Sequence, residues 1–150
     1  MNYKVLSVNE FYSEYKKELD SFHSQFRYLN LSYDDNNIYY LCLYDNNIPV
    51  GITKLKLGGN YSIRFNKYNN WISFVSVSNR YRGKGYSRIL VESIFDYCSK
   101  NGITSLLQSD YSVMGWERIK KYFVEYSKKY PQIDFHDTDN HDLYDLEESA

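Results

Sequence analysis

Arg82-Gly83-Lys84-Gly85-Tyr86-Ser87 is the stretch on which the fold depends, because it joins an apolar strand to an amphipathic helix. The strand is predicted over Ile72–Val77, and the helix over Tyr86–Lys100, whose apolar residues recur at helical spacing. Two glycines in the connection let the backbone take positive φ and let a ligand approach it closely. The N–H groups of the first helical turn and the helix dipole favour a negative charge there. The stretch therefore predicts a site for a polyanion, most simply a pyrophosphate.

Glycines in a strand-to-helix turn can also serve geometry alone, and that alternative stays open. The interleaved basic residues Arg82 and Lys84 favour an anion. A Walker A loop is excluded, since it needs four residues between its glycines and then Lys-Ser or Lys-Thr. A Rossmann turn would place a third glycine where Arg88 stands.

The run from Val77 to Leu90, VSNRYRGKGYSRIL, resembles motif A of the GNAT-type acyl-CoA N-acyltransferases, roughly V-x-P-x-x-R-G-x-G-x-[GAS]-x-x-L. Asn79 replaces the common Pro, and Ser87 the common Gly or Ala. The resemblance implies that the turn binds the pyrophosphate of coenzyme A, that the preceding strand pairs with the pantetheine arm, and that acetyl-CoA is the co-substrate. The coenzyme-binding residues so implied are Phe74, Val75, Ser76, Val77, Arg82, Gly83, Lys84, Gly85, Tyr86, Ser87 and Arg88.

Periodicity and turn residues predict the element order β-α-β-β-β-α-β-α-β. The predicted strands are Tyr3–Ser7, Ile38–Tyr44, Ile48–Leu57, Ile72–Val77, Ile103–Ser109 and Ile133–His136, and the predicted helices are 8–30, Tyr86–Lys100 and Gly115–Lys129. Ser7 and Glu10 form a candidate capping box at the first helix, with Asn9 as the alternative cap. Without a repeat or linker, we expect one domain over residues 1–150.

This order agrees with the architecture that the resemblance implies. That architecture is an α/β (α+β) fold with a central mixed sheet, a splayed pair of parallel strands beside the acyl-CoA slot, and flanking helices. The family usually has a further helix between the first two strands. Here we expect that helix to be missing or fused into the long helix of residues 8–30.

Composition and charge narrow the function classes. The hydrophobic fraction of 43% and the aromatic fraction of 19% exclude a disordered chain. The 18 tyrosines indicate compositional bias, with stacking on nucleic-acid bases as the alternative. A net charge of −1 gives no overall field toward nucleic acid or a membrane surface.

The acidic residues are concentrated at the C-terminal end. Residues 134–150 hold seven of the 19 acidic residues and no Lys or Arg. We interpret about 137–150 as a solvated acidic tail. A metal site is the alternative, but the His and Asp residues lack the spacing of zinc or calcium ligands, so no metal is predicted.

Cys42 and Cys98 fall on apolar faces and are expected to be buried free thiols in a reducing compartment. The N-terminus lacks the pattern of a signal peptide, and no stretch has the apolar length of a membrane span. The sequence therefore predicts a cytoplasmic protein without a membrane partner.

For catalysis, the resemblance implies oxyanion donors on the main chain of Phe74–Val77, where a β-bulge often breaks pairing. It also implies a tyrosine acid from a motif similar to N-x-x-A-x-x-[LF]-Y. Here Gly115–Tyr122 ends on Tyr122, although Gly115, Arg118 and Lys121 depart from the pattern. A core aromatic is the alternative role for Tyr122.

No carboxylate lies in the strand that would carry the general base in many relatives. Asp110 is the nearest candidate and Glu117 the next, with a water relay as the alternative. The catalytic residues predicted are therefore Tyr122 and Asp110.

The expected function is an acetyl-CoA-dependent N-acetyltransferase acting on a primary amine of a small molecule or protein. A catalytically silent acyl-CoA-binding or protein-interaction domain on the same fold is the alternative. A nucleic-acid binder is the third and weakest class. The acceptor depends on the loops Gly58–Asn70 and Asp110–Met114, which carry no readable chemistry, and the sequence leaves a homodimer open.

Overall fold

A six-stranded mixed sheet forms the centre of the computed structural model, which describes residues 1–27, 29, 31–32, 37–58, 70–108 and 113–137, without the side chains of 113–118 and 137. The strands are β1 (Asn2–Ser7), β2 (Ile38–Asp45), β3 (Ile48–Leu57), β4 (Asn70–Val77), β5 (Ser105–Gln108) and β6 (Asp134–Asp137). Their order in space is their order in the chain. β1 to β4 are antiparallel, whereas β4, β5 and β6 run parallel. The expected mixed sheet is confirmed.

Helices cover both faces of the sheet. The helices are α1 (Val8–Tyr15), α2 (Leu19–Gln25), α3 (Tyr86–Lys100) and α4 (Val113–Lys129). One face packs against α3 and α4 through Leu90, Ile94, Phe95 and Phe123. The other packs against the aromatic residues of α1 and α2. Burial of both apolar faces is what stabilises such a layered domain.

The single helix predicted over residues 8–30 is wrong, because the chain turns between Tyr15 and Leu19. In a straight helix, Phe11 and Phe22 would be about 16 Å apart along the axis, at about 1.5 Å a residue. Their ring centroids are 6.2 Å apart, and the Tyr15 and Phe22 centroids 5.0 Å apart. The turn therefore brings both aromatic faces onto one patch of the sheet. The second helix that the family usually has here is present as α2.

A β-bulge lies in β4 at Ser73. Lys54 of β3 pairs with Phe74, but its neighbour Leu55 pairs with Ile72, so Ser73 is an extra residue in β4. Side chains alternate between faces along a strand, and one extra residue reverses the alternation. Ile72 accordingly packs with α3 and α4, whereas Phe74 packs with α1 and α2.

Several local predictions are confirmed. Ser7 and Glu10 form the reciprocal capping box of α1. Asn46 and Asn47 take positive φ in the turn between β2 and β3, as a tight hairpin requires. Both cysteines are buried and unpaired.

None of the helices in the described ranges has the length and apolar character of a membrane span.

Candidate functional site

The connection from β4 to α3 contains two glycines in the left-handed region. A short 3-10 turn, Asn79–Tyr81, leads into it. Gly83 has φ +79° and Gly85 has φ +78°, and a Cβ built on either would meet no atom within 4 Å. Their absent side chains therefore relieve backbone strain and leave open space above the turn, which confirms that this turn needs glycine for its conformation.

The first turn of α3 keeps its main-chain donors free. Gly85 is the N-cap, no side chain caps the helix, and its first turn has no acidic residue. The earliest helical bond runs from the Ile89 N–H to the Gly85 carbonyl oxygen at 3.5 Å. The N–H groups of residues 86–88 consequently point out of the helix end, where its dipole attracts an anion.

Basic side chains surround this helix end. Arg80, Arg82 and Lys84 are all exposed. The Lys84 Nζ lies 5.7 Å from the centroid of the Tyr81 ring, which holds the cation beside the turn. Among the described residues, none of these cations has a carboxylate within ion-pair distance. The turn therefore presents amides and positive charge together.

Two residues predicted to bind the coenzyme direct their side chains elsewhere. The Tyr86 ring is buried, and its hydroxyl donates to the carboxylate of Asp45 in the β2–β3 hairpin. This bond raises the pKa of Tyr86. Arg88 donates to Glu125 of α4 at 2.7 Å. Tyr86 and Arg88 can therefore offer a ligand their main-chain N–H groups, while their side chains anchor the start of α3.

The described pairing between β4 and β5 stops just before the predicted coenzyme residues Phe74–Val77. Its pairing with β5 ends at Ile72 and Gln108 within the described residues. On its other edge, β4 remains paired with β3 up to Val77. The Thr53 hydroxyl donates to the Phe74 carbonyl oxygen at 2.5 Å, which stabilises the strand beyond the bulge. Residues 109–112, which follow β5, lie outside the described residues, so the splay of the parallel strands stays a prediction. The edge of β4 after Ile72, which has no partner strand among the described residues, is the edge that would face the predicted gap.

The side chains after the bulge divide between the two faces. Phe74 and Ser76 are buried on the α1–α2 side, and Val75 and Val77 pack against the α3–α4 core. Because the side chains leave the sheet plane, it is the main chain of this segment that can reach a ligand in the gap.

Tyr122 lies on α4, which runs beside α3 in the same direction. Glu125 contacts Arg88 near the start of α3, while Tyr130 stacks on Phe95, two turns further along. By this register Tyr122 is level with the first turn of α3 or just before it. Its ring is partly buried against the α3–α4 core, with the Lys121 Nζ 5.1 Å from its centroid. Asp110 and the side chain of Glu117 lie outside the described residues.

Hydrogen bonds between α2 and this turn are a feature that was not predicted from the sequence. The buried Ser78 hydroxyl donates to Gln25 Oε1 at 3.0 Å, and Gln25 Nε2 donates to Ser21 at 2.7 Å. The one signal in the sequence is a glutamine beside the apolar residues Phe22 and Phe26. These bonds fix the β4–α3 connection against the helices of the opposite face.

The sequence matches the model of the acetyltransferase (GNAT) family over residues 5–114. The chain belongs to this family. The match covers the second half of β1, the strands β2 to β5 and the glycine turn.

Solved structures support the fold of this GNAT protein. A ribosomal-protein-alanine N-acetyltransferase from Brucella melitensis has a TM-score of 0.55 at 15% identity, covering 83% of this chain and 88% of that one. An aminoglycoside acetyltransferase from an uncultured soil metagenomic sample has a TM-score of 0.53 at 11% identity, covering 81% and 84%. An aminoglycoside 6'-N-acetyltransferase from Acinetobacter haemolyticus has a TM-score of 0.51 at 12% identity, covering 85% and 88%. A comparison with curated protein sequences gives no significant match.

The GNAT family uses acetyl-CoA, and the residues present suit that molecule. The open space above Gly83 and Gly85 admits a diphosphate, and the uncapped amides of α3 can donate to it. The edge of β4 after Ile72, which has no partner strand in the part of the chain that the structure describes, can pair with an extended arm that carries amide groups.

Replacement of Tyr86 by Phe tests whether the bond to Asp45 supports this site. The bond joins the first residue of α3 to the β2–β3 hairpin. It also gives the Asp45 carboxylate, a negative charge next to Tyr86, a hydrogen-bond donor. We expect Tyr86→Phe to weaken acetyl-CoA binding roughly three- to tenfold, the size of one ordinary hydrogen bond of about 0.5–1.5 kcal/mol, because the bond acts on the site only indirectly. Isothermal titration measures the change. Tyr97→Phe, near the other end of α3, is the control, and equal affinities for both variants would show that the bond is irrelevant to the site.

Proposed function

We propose that this chain is an acetyl-CoA-dependent N-acetyltransferase that transfers an acetyl group to a primary amine. The observation that carries the proposal is the uncapped N-terminus of α3, with Gly83 and Gly85 in the left-handed region. It follows the segment of β4 that has no partner on its β5 side among the described residues. An anion site and an extended slot that meet at one end of a sheet suit a long carrier with a diphosphate and an amide-containing arm.

Each part of the site has a distinct role in the proposal. The amides of residues 86–88 hold the diphosphate, with Arg82 and Lys84 adding positive charge around it. The β4 main chain beyond Ser73 binds the arm and donates to the acyl oxygen. Acetyl-CoA, when bound, supplies an acyl group activated as a thioester.

The remaining chemistry is proton transfer. The acceptor amine must be unprotonated to attack, and the thiolate that leaves must gain a proton. We assign the second task to Tyr122, because its place on α4 is level with the start of α3. Asp110 stays the candidate for the first task on sequence grounds, since it comes two residues after β5 in the chain.

Two measurements, made one after the other, test the proposal. Isothermal titration with acetyl-CoA is expected to give one site per chain, and binding of an RNA or DNA oligomer in its place would contradict it. Release of coenzyme A over a panel of primary amines is then expected to exceed the rate without amine. Binding of acetyl-CoA without any amine-dependent release would instead support the catalytically silent acyl-CoA-binding domain.

A further inference from the structure

Lys54 is the one charged residue among four side chains that lie next to one another across strands β1 to β4. Across the sheet, Leu6, Tyr40, Lys54 and Phe74 are register partners on β1 to β4, and all face α1 and α2. Lys54 is only 7% exposed. Lysines in such rows are uncommon, because removing an ammonium group from water costs several kcal/mol unless it is paired.

The contacts of Lys54 do not include such a pair among the described residues. Its Nζ lies 3.2 Å from the Ser32 hydroxyl oxygen and 5.9 Å from the centroid of the Phe74 ring. No described carboxylate is within ion-pair distance. Burial, and then the charge of Lys56 two residues along, lower the pKa of Lys54. Within the described residues, the ammonium group of Lys54 thus has no negative charge to pair with.

The position of Lys54 relates this missing charge to the reaction. Lys54 pairs with Phe74, directly beside the bulge at Ser73. The glycine turn leads into α3, which covers one face of the sheet, whereas Lys54 lies on the opposite face. A carrier held at the turn would lie on the α3 side of the sheet, which leaves the α1–α2 side to an acceptor. Lys54 is on that side, on the strand next to β4.

We propose that Lys54 binds an oxyanion of the acceptor, so that the acceptor is a primary amine that also carries a carboxylate or a phosphate group. This inference rests on the proposed acetyltransferase function and specifies its substrate class. An oxyanion beside Lys54 supplies the missing charge and directs the amine toward the segment after the bulge.

A set of matched amines tests the substrate class. Ethanolamine, O-phosphoethanolamine, β-alanine and ethylenediamine offer the same kind of amine beside a neutral, phosphate, carboxylate or cationic group. We expect kcat/KM to be at least about tenfold higher for an anionic amine than for ethanolamine, as a charge-assisted contact provides. The phosphate and carboxylate arms decide which oxyanion fits. Equal kcat/KM for all four amines would overturn the inference while leaving the acetyltransferase function in place.

Lys54→Met identifies the residue responsible, and Lys56→Met is the matched control on the same strand and face. We expect Lys54→Met to remove the preference for anionic amines through KM and to leave kcat/KM for ethanolamine within about threefold, whereas Lys56→Met keeps the preference. Lys54→Arg retains the charge and is expected to restore part of the preference. A fall in kcat for every amine would contradict the inference and indicate a general base instead.

A binding measurement separates failure of the inference from failure of the proposed function. If acetyl-CoA binds but no amine is acetylated, the proposed turnover is wrong. O-phosphoethanolamine must then still raise the Tm of the unmodified protein and not that of Lys54→Met. The absence of that difference would overturn the inference by itself.

Discussion

Gly83→Glu and Gly85→Glu are each expected to lower the affinity for acetyl-CoA by at least about 100-fold, the loss of two charge-assisted hydrogen bonds. The new carboxylate would occupy the open space above the turn and repel the diphosphate. Because a Cβ at either position meets no atom within 4 Å, the fold should persist. The backbone strain of a side chain at positive φ costs about 1–2 kcal/mol. Isothermal titration gives the affinity, and urea unfolding gives the stability.

Gly102→Glu is the matched control for these variants. Gly102 follows the other end of α3, has φ +67°, and also has no atom within 4 Å of a built Cβ. We expect it to lose similar stability and to keep its affinity for acetyl-CoA. If Gly83→Glu and Gly85→Glu bind as the control does, the turn serves only the architecture and the acetyltransferase proposal loses its main support.

Tyr122→Phe is expected to reduce kcat about 100-fold, the lower range for loss of a general acid, with little change in the affinity for acetyl-CoA. The ring would keep its packing against the α3–α4 core, so the loss reports the hydroxyl alone. Steady-state release of coenzyme A measures kcat, and titration measures the affinity.

Tyr130→Phe is the control for the Tyr122 variant. Tyr130 is on the same side of the α3–α4 core, eight residues along, where its ring stacks on Phe95 at 5.8 Å. We expect this variant to turn over normally. Equal rates for Tyr122→Phe and the unmodified protein would remove Tyr122 as the acid and leave it a core aromatic.

The elements that were predictable are those whose pattern is local. Tyr86–Lys100 and Ile48–Leu57 have the bounds that periodicity predicts, because glycine or asparagine turns flank both. The break after Tyr15 has no glycine or proline to mark it. It arises from the packing of Phe11 and Phe22 on one patch of the sheet, which is a tertiary effect.

For the site, the sequence indicates the main-chain features and misses the side-chain partners. Gly83 and Gly85 indicate the turn in the sequence, because its positive φ angles favour glycine. The partner of Tyr86 is 41 residues away, and that of Ser78 is 53 residues away. Such pairs depend on how the sheet brings distant segments together. The bulge of this strand is implied by the family resemblance, within Phe74–Val77, and not by the composition of the strand; it lies one residue earlier, at Ser73.

The bulge also constrains how this strand can change over evolution. Deletion of Ser73 would remove the bulge and move every side chain from Phe74 to Val77 to the opposite face of the sheet. Val75 and Val77 would then face α1 and α2, and Phe74 and Ser76 would face α3 and α4. We therefore expect selection to act on insertions and deletions at this point through the packing of both layers as well as through the site.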